Sequence, residues 1–230
     1  MKLITRIFFF CFIISFLPSC NDDLIIRKEF YSDGTIKKEI SYRLSSKNRE
    51  EKMYYHNGKL REKYSCVNDQ INGDYFSYDN VGNVASKAYF KDGLPVGPVY
   101  YYFKSNLVLY NEKDFKGEVY YVKKYDSISH RLLKENGLCL SPNIINRKTL
   151  SATGKQEYIF MYAQPENYSN IIKVFLNNTP IKYDILKGHM AKIEIDGAIE
   201  YGKELKIYSL LRRDSVNVIC RDSLIVNIRI

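Results

Sequence analysis

The sequence predicts an all-β protein: an antiparallel β-hairpin repeat meander with a 24-residue period, followed by a C-terminal β-sandwich. Three observations predict it. Glycines in turn-like contexts recur at Gly34, Gly58 and Gly82, a constant spacing of 24. After each of them the side chains alternate between two characters with period two. Beyond residue 137 the beat stops and the chain breaks into short apolar runs separated by turn residues.

The repeat is the firmest of the three. A further step of 24 from Gly82 lands on Asn106 and the next on His130, with an apolar residue two positions on in every unit: Ile36, Leu60, Val84, Val108 and Leu132. A fixed period of this length signals an array in which each unit stacks on its neighbours. Asp33-Gly34 and Asn57-Gly58 supply the positive φ that tight hairpin turns need, and Asn106 is expected to take the same left-handed role. His130 is expected to be a degenerate turn residue of a closing unit. Residues 36, 38, 40 and 42 read Ile, Lys, Ile, Tyr, and 60, 62, 64 and 66 read Leu, Glu, Tyr, Cys; the interleaved positions are mostly Lys, Glu, Arg and Ser. Each unit is therefore a hairpin with a tyrosine-rich face and a charged face. A lone hairpin is marginal in water, so the units join into one sheet.

The stretches HNGKLREKY at 56–64, INGDYFSYDNVGNV at 71–84 and LPVGPVYYYFKSNLV at 94–108 carry a resemblance. The pattern is similar to the MORN-type repeats of YwqK-family antitoxin-like proteins, over residues 27–137. That resemblance implies the hairpin-repeat fold and, by the family's label, an immunity role that neutralises a toxin. From 138 to 230, runs such as EYIFMYA, IIKVFLN, AKIEID and SLIVNIRI stand between Gly, Asn and Pro separators. Short strands at such spacing suggest a β-sandwich. The pattern resembles an immunoglobulin-like domain, without tryptophan and without the Cys…Trp…Cys spacing.

The first residues set an expected address. Lys2 and Arg6 precede an apolar run from Ile7 to Leu17, the form of a secretory signal. The run ends in Leu17-Pro18-Ser19-Cys20, which resembles the bacterial lipobox. Residues 1–19 are expected to be a lipoprotein signal peptide. Cys20 is expected to become the lipidated N-terminus, because a thiol can be alkylated with diacylglycerol and the freed amine acylated. Several acyl chains on one residue make a stable anchor. Residues 20–26 then form a short tether, placing the protein in the cell envelope at a membrane, the outer one by preference. The repeats are expected to lie near the bilayer and the sandwich to project beyond them.

Composition narrows the function classes. The formal charge of +9 is divided almost evenly along the chain in pairs and short triplets. A nucleic-acid binder concentrates its cations on one face, so no nucleic-acid partner is expected. The usual nucleophile, P-loop and metal motifs are missing, and His56, His130 and His189 are widely separated. No catalytic residue, no cofactor and no metal site is expected, and the chain is read as not an enzyme. Once Cys11 leaves and Cys20 carries lipid, Cys66, Cys139 and Cys220 remain. Small buried apolar side chains are the preferred reading of these, with a Cys139–Cys220 bridge as the alternative.

The tyrosines are the candidate binding residues. The chain has 21 tyrosines and no tryptophan. Tyr54-Tyr55, Tyr100-Tyr101-Tyr102 and Tyr120-Tyr121 place aromatics on both faces of any strand that contains them. Sheet packing accounts for most such rows. The sharper reading is a binding face, since exposed tyrosine suits protein interfaces and sugar stacking. The expected role is a non-enzymatic protein-binding or scaffold module in the envelope. The rivals are the immunity role and surface glycan binding.

Overall fold

A computed structural model describes residues 23–148, 155–196, 202–214 and 217–227. The lipobox and Cys20 lie outside them. Every regular element among the described residues is a strand. The meander comprises β1 (Leu24–Phe30), β2 (Ile36–Arg43), β3 (Asn48–Tyr54), β4 (Leu60–Val67), β5 (Gln70–Tyr78), β6 (Val84–Lys91), β7 (Leu94–Pro95), β8 (Gly97–Phe103), β9 (Asn106–Lys113), β10 (Val119–Tyr125) and β11 (Leu132–Gly137). All neighbours are antiparallel and sequential, with the two-residue β7 pairing only with β6. The second part holds β12 (Ile145–Lys148), β13 (Lys155–Met161), β14 (Ser169–Leu176), β15 (Thr179–Pro180), β16 (Asp184–Leu186), β17 (Met190–Asp196), β18 (Glu204–Arg212) and β19 (Val218–Asn227). These make two four-stranded sheets, β12-β13-β17-β16 and β15-β14-β18-β19.

Each 24-residue unit is two strands and two different turns. At Gly34, Gly58 and Gly82 the backbone has φ of 83°, 76° and 99°. In each of these turns the glycine N–H donates to the carbonyl three residues back, as from Gly58 to Tyr55 at 2.9 Å. About half a period after Gly58 and Gly82 sit two-residue turns, Asn68-Asp69 and Asp92-Gly93, again 24 apart and all at positive φ. Asn106 departs from expectation: it is the first residue of β9, and Lys104 and Ser105 hold the left-handed angles. The turn there is one residue shorter, closing directly on the Phe103–Asn106 pair. The three-residue glycine turn returns instead at Gly117.

Equivalent turns are stitched to one another. The Tyr31 hydroxyl donates to the Tyr54 carbonyl at 2.7 Å, and the Tyr55 hydroxyl donates to the Tyr78 carbonyl at 2.8 Å. Tyr55 is thus half-buried and committed to the next unit.

Over β1 to β4 the charged face is an alternating ladder. Lys28 pairs with Glu39, Glu39 with Lys52, Lys52 with Glu50, and Glu50 with Lys63, at 3.6, 3.5, 3.2 and 3.0 Å. Such partly exposed pairs contribute little singly and fix register collectively. On the other face a carboxylate is buried: Glu51 is 3% exposed, with Lys38 at 2.9 Å, Arg49 at 2.6 Å and the Tyr64 hydroxyl at 3.0 Å. Cys66, also buried, lies beside it.

Further along the same face one ladder position and one position beside the ladder turn aromatic, while Glu50 and Lys63 are succeeded by the charged Asp74 and Lys87. Lys52 is succeeded, 24 and 48 residues on, by Phe76 and Tyr100, and Ser65 by Tyr89. That half of the face is where the sandwich sits. The expectation that the sandwich projects away from a single-layer sheet is corrected here. Val96, Tyr110, Tyr120 and Tyr121 of the meander share one core with Ile159, Met161, Met190 and Leu211. Behind them Phe160, Ile193, Val174 and Ile207 fill the space between the two sandwich sheets. The junction is therefore three layers deep. Strand β13 is its middle layer, which explains its unbroken apolar run, since both of its faces are buried.

The two parts approach closely at Gly97, where φ is 71° and an added Cβ would overlap the Gly188 carbonyl. Gly97→Ala is expected to cost roughly 3 kcal/mol or more. Gly34→Ala, with open space around it, should cost about 1–2 kcal/mol. Denaturant titration checks the ordering, and equal costs would remove the close approach from the account.

Glu51 gives a second expectation. Burial raises its carboxyl, but hydrogen bonds from Lys38, Arg49 and Tyr64 override that and hold it at about 2. Its contribution is complete above the ordinary value of 4.5 and is lost as the pH falls from there through about 2. Glu51→Gln should flatten the loss of thermal stability between these limits, measured by melting at several pH values.

Candidate functional site

The docked sandwich leaves a cleft of about 400 Å³ along the edge of the seam. Its wall is the tyrosine row of β8 to β10, and its opposite lip is the Pro165–Asn167 turn of the sandwich. Tyr100 and Tyr102 alternate onto one face of β8, and their rings stack with centroids 6.5 Å apart. Tyr110 meets Tyr100 edge-on at 5.1 Å and closes the floor. Tyr125 and His130 come from β10 and the turn after it, and Asn106 stands at the start of β9. Glu166 and Asn167 are exposed at the rim. Stacked phenol rings facing a carboxylate and two amides suit a ligand with both an apolar and a polar or cationic edge.

Under the floor lies a buried polar cluster that the sequence did not single out. Glu112, wholly buried, accepts a hydrogen bond from the Tyr110 hydroxyl and another from Gln164 N–H at 3.2 Å. His189 Nδ1 stands 2.7 Å from the same oxygen, Oε1. Among the described residues, the other Glu112 oxygen has no hydrogen-bond partner, nor does the buried Tyr120 hydroxyl. Burial, and after it the Glu112 charge, push the Tyr110 hydroxyl far above the ordinary tyrosine range, so it remains a donor. Glu112 belongs to the meander, while Gln164 and His189 belong to the sandwich.

A second polar lock lies across the seam. Lys123, 4% exposed, is 3.8 Å from the centre of the Tyr168 ring and 3.9 Å from Glu135. Arg213 donates to the Tyr168 hydroxyl at 3.0 Å and pairs with Glu135 at 3.2 Å. Burial opposes the charge on Lys123, but the Tyr125 and Tyr168 hydroxyls and Glu135 raise it above the usual lysine range. At the far end Lys187 bridges to Asp74 at 2.6 Å.

The candidate aromatics divide accordingly. Tyr100 and Tyr102 line the cleft. Tyr101, on the opposite face and 38% exposed, borders a wider concavity with Phe103, Leu109 and Leu133. Tyr54 is half-buried on the ladder face and Tyr55 is a stitch between units. Tyr120 and Tyr121 are corrected: they are 8% and 1% exposed and belong to the seam core. Alternation would send one of them outward, but a β-bulge skips Tyr120 in the pairing with β9, so both turn inward. His56 stacks on Tyr31 at 3.8 Å and neighbours Asp33 at 3.2 Å, away from the other histidines. The signal that marks this site in the sequence is the change from Lys52 to Tyr100 at one repeat position.

No family model matches the chain, and no curated protein matches it either. Two solved structures align with part of it: one of TarM, and one of an S. aureus TarM mutant in complex with Fondaparinux, alpha-GlcNAc-glycerol and UDP. Each covers 48% of this chain at 14% identity, with TM-scores of 0.25 and 0.26, and the chain spans 19% of their length. A likeness of that size determines neither fold nor function.

Glu112→Ala is expected to destabilise by roughly 3–5 kcal/mol, because it strands His189 and the Tyr110 hydroxyl in the seam. Glu112→Gln, which keeps an acceptor, should cost about 1–2 kcal/mol. Urea denaturation of both variants checks the difference.

Proposed function

We propose that this chain is a lipid-anchored binding module of the bacterial cell envelope, tethered through Cys20, whose junction cleft receives a side chain or short segment of a partner protein. The observation that carries the reading is the cleft itself, with Tyr100 and Tyr102 stacked on each other, Tyr110 edge-on to Tyr100, and Glu166 and Asn167 at the facing rim. Tyrosine supplies large contact area at low entropic cost, and a half-open aromatic trough beside a carboxylate favours a basic or amphipathic side chain. The seam locks hold the two walls rigid, so little ordering is needed on binding. Among the described residues lining the cleft no hydrogen bond pairs a nucleophile with a base, and the role proposed is recognition rather than catalysis.

A second reading has its own support. A stacked ring pair flanked by Asn106, Glu166 and Asn167 also matches what a sugar ring needs: a flat apolar platform and polar groups at its edge.

Wild-type protein and the Tyr100→Ala/Tyr102→Ala double variant, extracted in detergent, should differ in the partner they capture, with a Cys20→Ser form separating membrane tethering from binding. Loss of one enriched protein in the double variant, with the melting temperature retained, is the expected result. The same two proteins on a glycan array test the second reading. Equal capture by both, with no glycan retained, overturns the cleft as the binding site.

A further inference from the structure

The chain leaves β11 through Cys139, which is fully buried against β18 and β19. Strand β19 places Cys220 and Asp222, two residues apart and so on the same face, opposite it. The Cys220 Sγ lies 3.3 Å from Asp222 Oδ2, and the two sulfurs and a carboxylate oxygen all fall within 4.8 Å of one another. The Cys139 N–H donates to the Cys220 sulfur at 3.2 Å and to Asp222 Oδ2 at 2.5 Å, and the Leu140 N–H donates to the same oxygen at 3.2 Å. Among the described residues no lysine, arginine or histidine pairs with Asp222. A half-buried carboxylate and two thiols thus converge, the carboxylate held by backbone N–H groups and the sulfurs lying beside the Ser209 and Gly137 carbonyls at 3.7 and 3.8 Å.

That donor set defines a cation class. A tetrahedral zinc ion with sulfur ligands at about 2.3 Å and a carboxylate oxygen at about 2.0–2.2 Å requires ligand atoms roughly 3.5–3.8 Å apart. The observed spacing needs only small side-chain adjustments to reach it. N–H groups aimed at the sulfur and carboxylate are the outer contacts that hold such ligands in place. Ser209 Oγ, donating to the Cys139 carbonyl at 3.1 Å, fixes the loop that carries the third ligand.

We propose that Cys139, Cys220 and Asp222 form a three-ligand site for a zinc-class cation, with the fourth position open on the half-exposed Cys220 side. Binding releases two thiol protons to solvent and leaves Zn2+ held by two thiolates and one carboxylate. The ion would pin the segment leaving the meander to the last strand of the sandwich, two positions 81 residues apart in the chain.

The test uses the full chain in detergent, reduced with a phosphine, and zinc chloride as the probe. One equivalent of zinc per chain and a raised melting temperature are expected. Cobalt(II) in its place should give a thiolate-to-metal charge-transfer band. Cys220→Ser should weaken zinc binding about 100-fold or more, Asp222→Asn by roughly 10–100-fold, and Cys66→Ser not at all. Cys139→Ser is wholly buried and could fail to fold, so the half-exposed Cys220 and Asp222 decide the matter. Three outcomes overturn the proposal: no zinc bound by the reduced chain, unchanged binding in Asp222→Asn, or a Cys139–Cys220 disulfide found by non-reducing peptide mapping of protein taken directly from cells.

Discussion

The close seating of the sandwich on one face of the meander is the constraint on which the rest of the molecule depends. A single-layer antiparallel sheet has two wet faces and little core of its own. Over β1 to β4 the chain accepts this, and cross-strand ion pairs and inter-unit hydroxyl bonds hold the register. From β5 onward another solution takes over, because Gly97 lets the backbone of the sandwich reach the sheet and Tyr110, Tyr121 and Val96 are sealed beneath it. Each buried aromatic or aliphatic side chain contributes on the order of 1.5–3 kcal/mol, far more than an exposed pair of the ladder. The seam is therefore where the stability of both parts is concentrated.

Specificity of docking comes from polar groups that gain partners across the seam. Among the described residues of the meander Glu112 has only the Tyr110 hydroxyl as a partner; with His189 and the Gln164 N–H it becomes a register pin. Lys123, Tyr168, Arg213 and Glu135 act in the same way at the other edge. Apolar contacts would tolerate sliding of one part over the other, whereas these groups fit in a single placement. The cleft inherits its rigidity from that placement, since one wall belongs to each part.

The hairpin array was legible because a turn is a local event. Gly34, Gly58 and Gly82 announce positive φ through residue type alone, and alternation after each announces the strand. His130 sits at φ 57° on the same beat. Asn106 misled because a turn one residue shorter keeps the beat while moving the left-handed positions to Lys104 and Ser105, neither of which advertises it. Tyr120 and Tyr121 misled because a bulge breaks the alternation from which their exposure was read. Of the cleft, Tyr100 and Tyr102 were legible as aromatics with an unassigned face. Glu112, His189, Glu166 and Asp222 were not, and Cys139 with Cys220 was legible only as an alternative bridge, since these partners are tens of residues apart in sequence and only the packing brings them together.

By itself the sequence determined the all-β class, the 24-residue unit of two strands, the break near residue 137 and the alternation of the two faces. These follow from backbone preferences and from periodicity, which act over a few residues. Only the tertiary structure decided which face of the sheet the sandwich covers, which tyrosines become core and which become cleft, and which acids are buried. Those outcomes depend on the fit between surfaces far apart in the chain, and a free energy of that kind belongs to a pair of surfaces rather than to either segment alone.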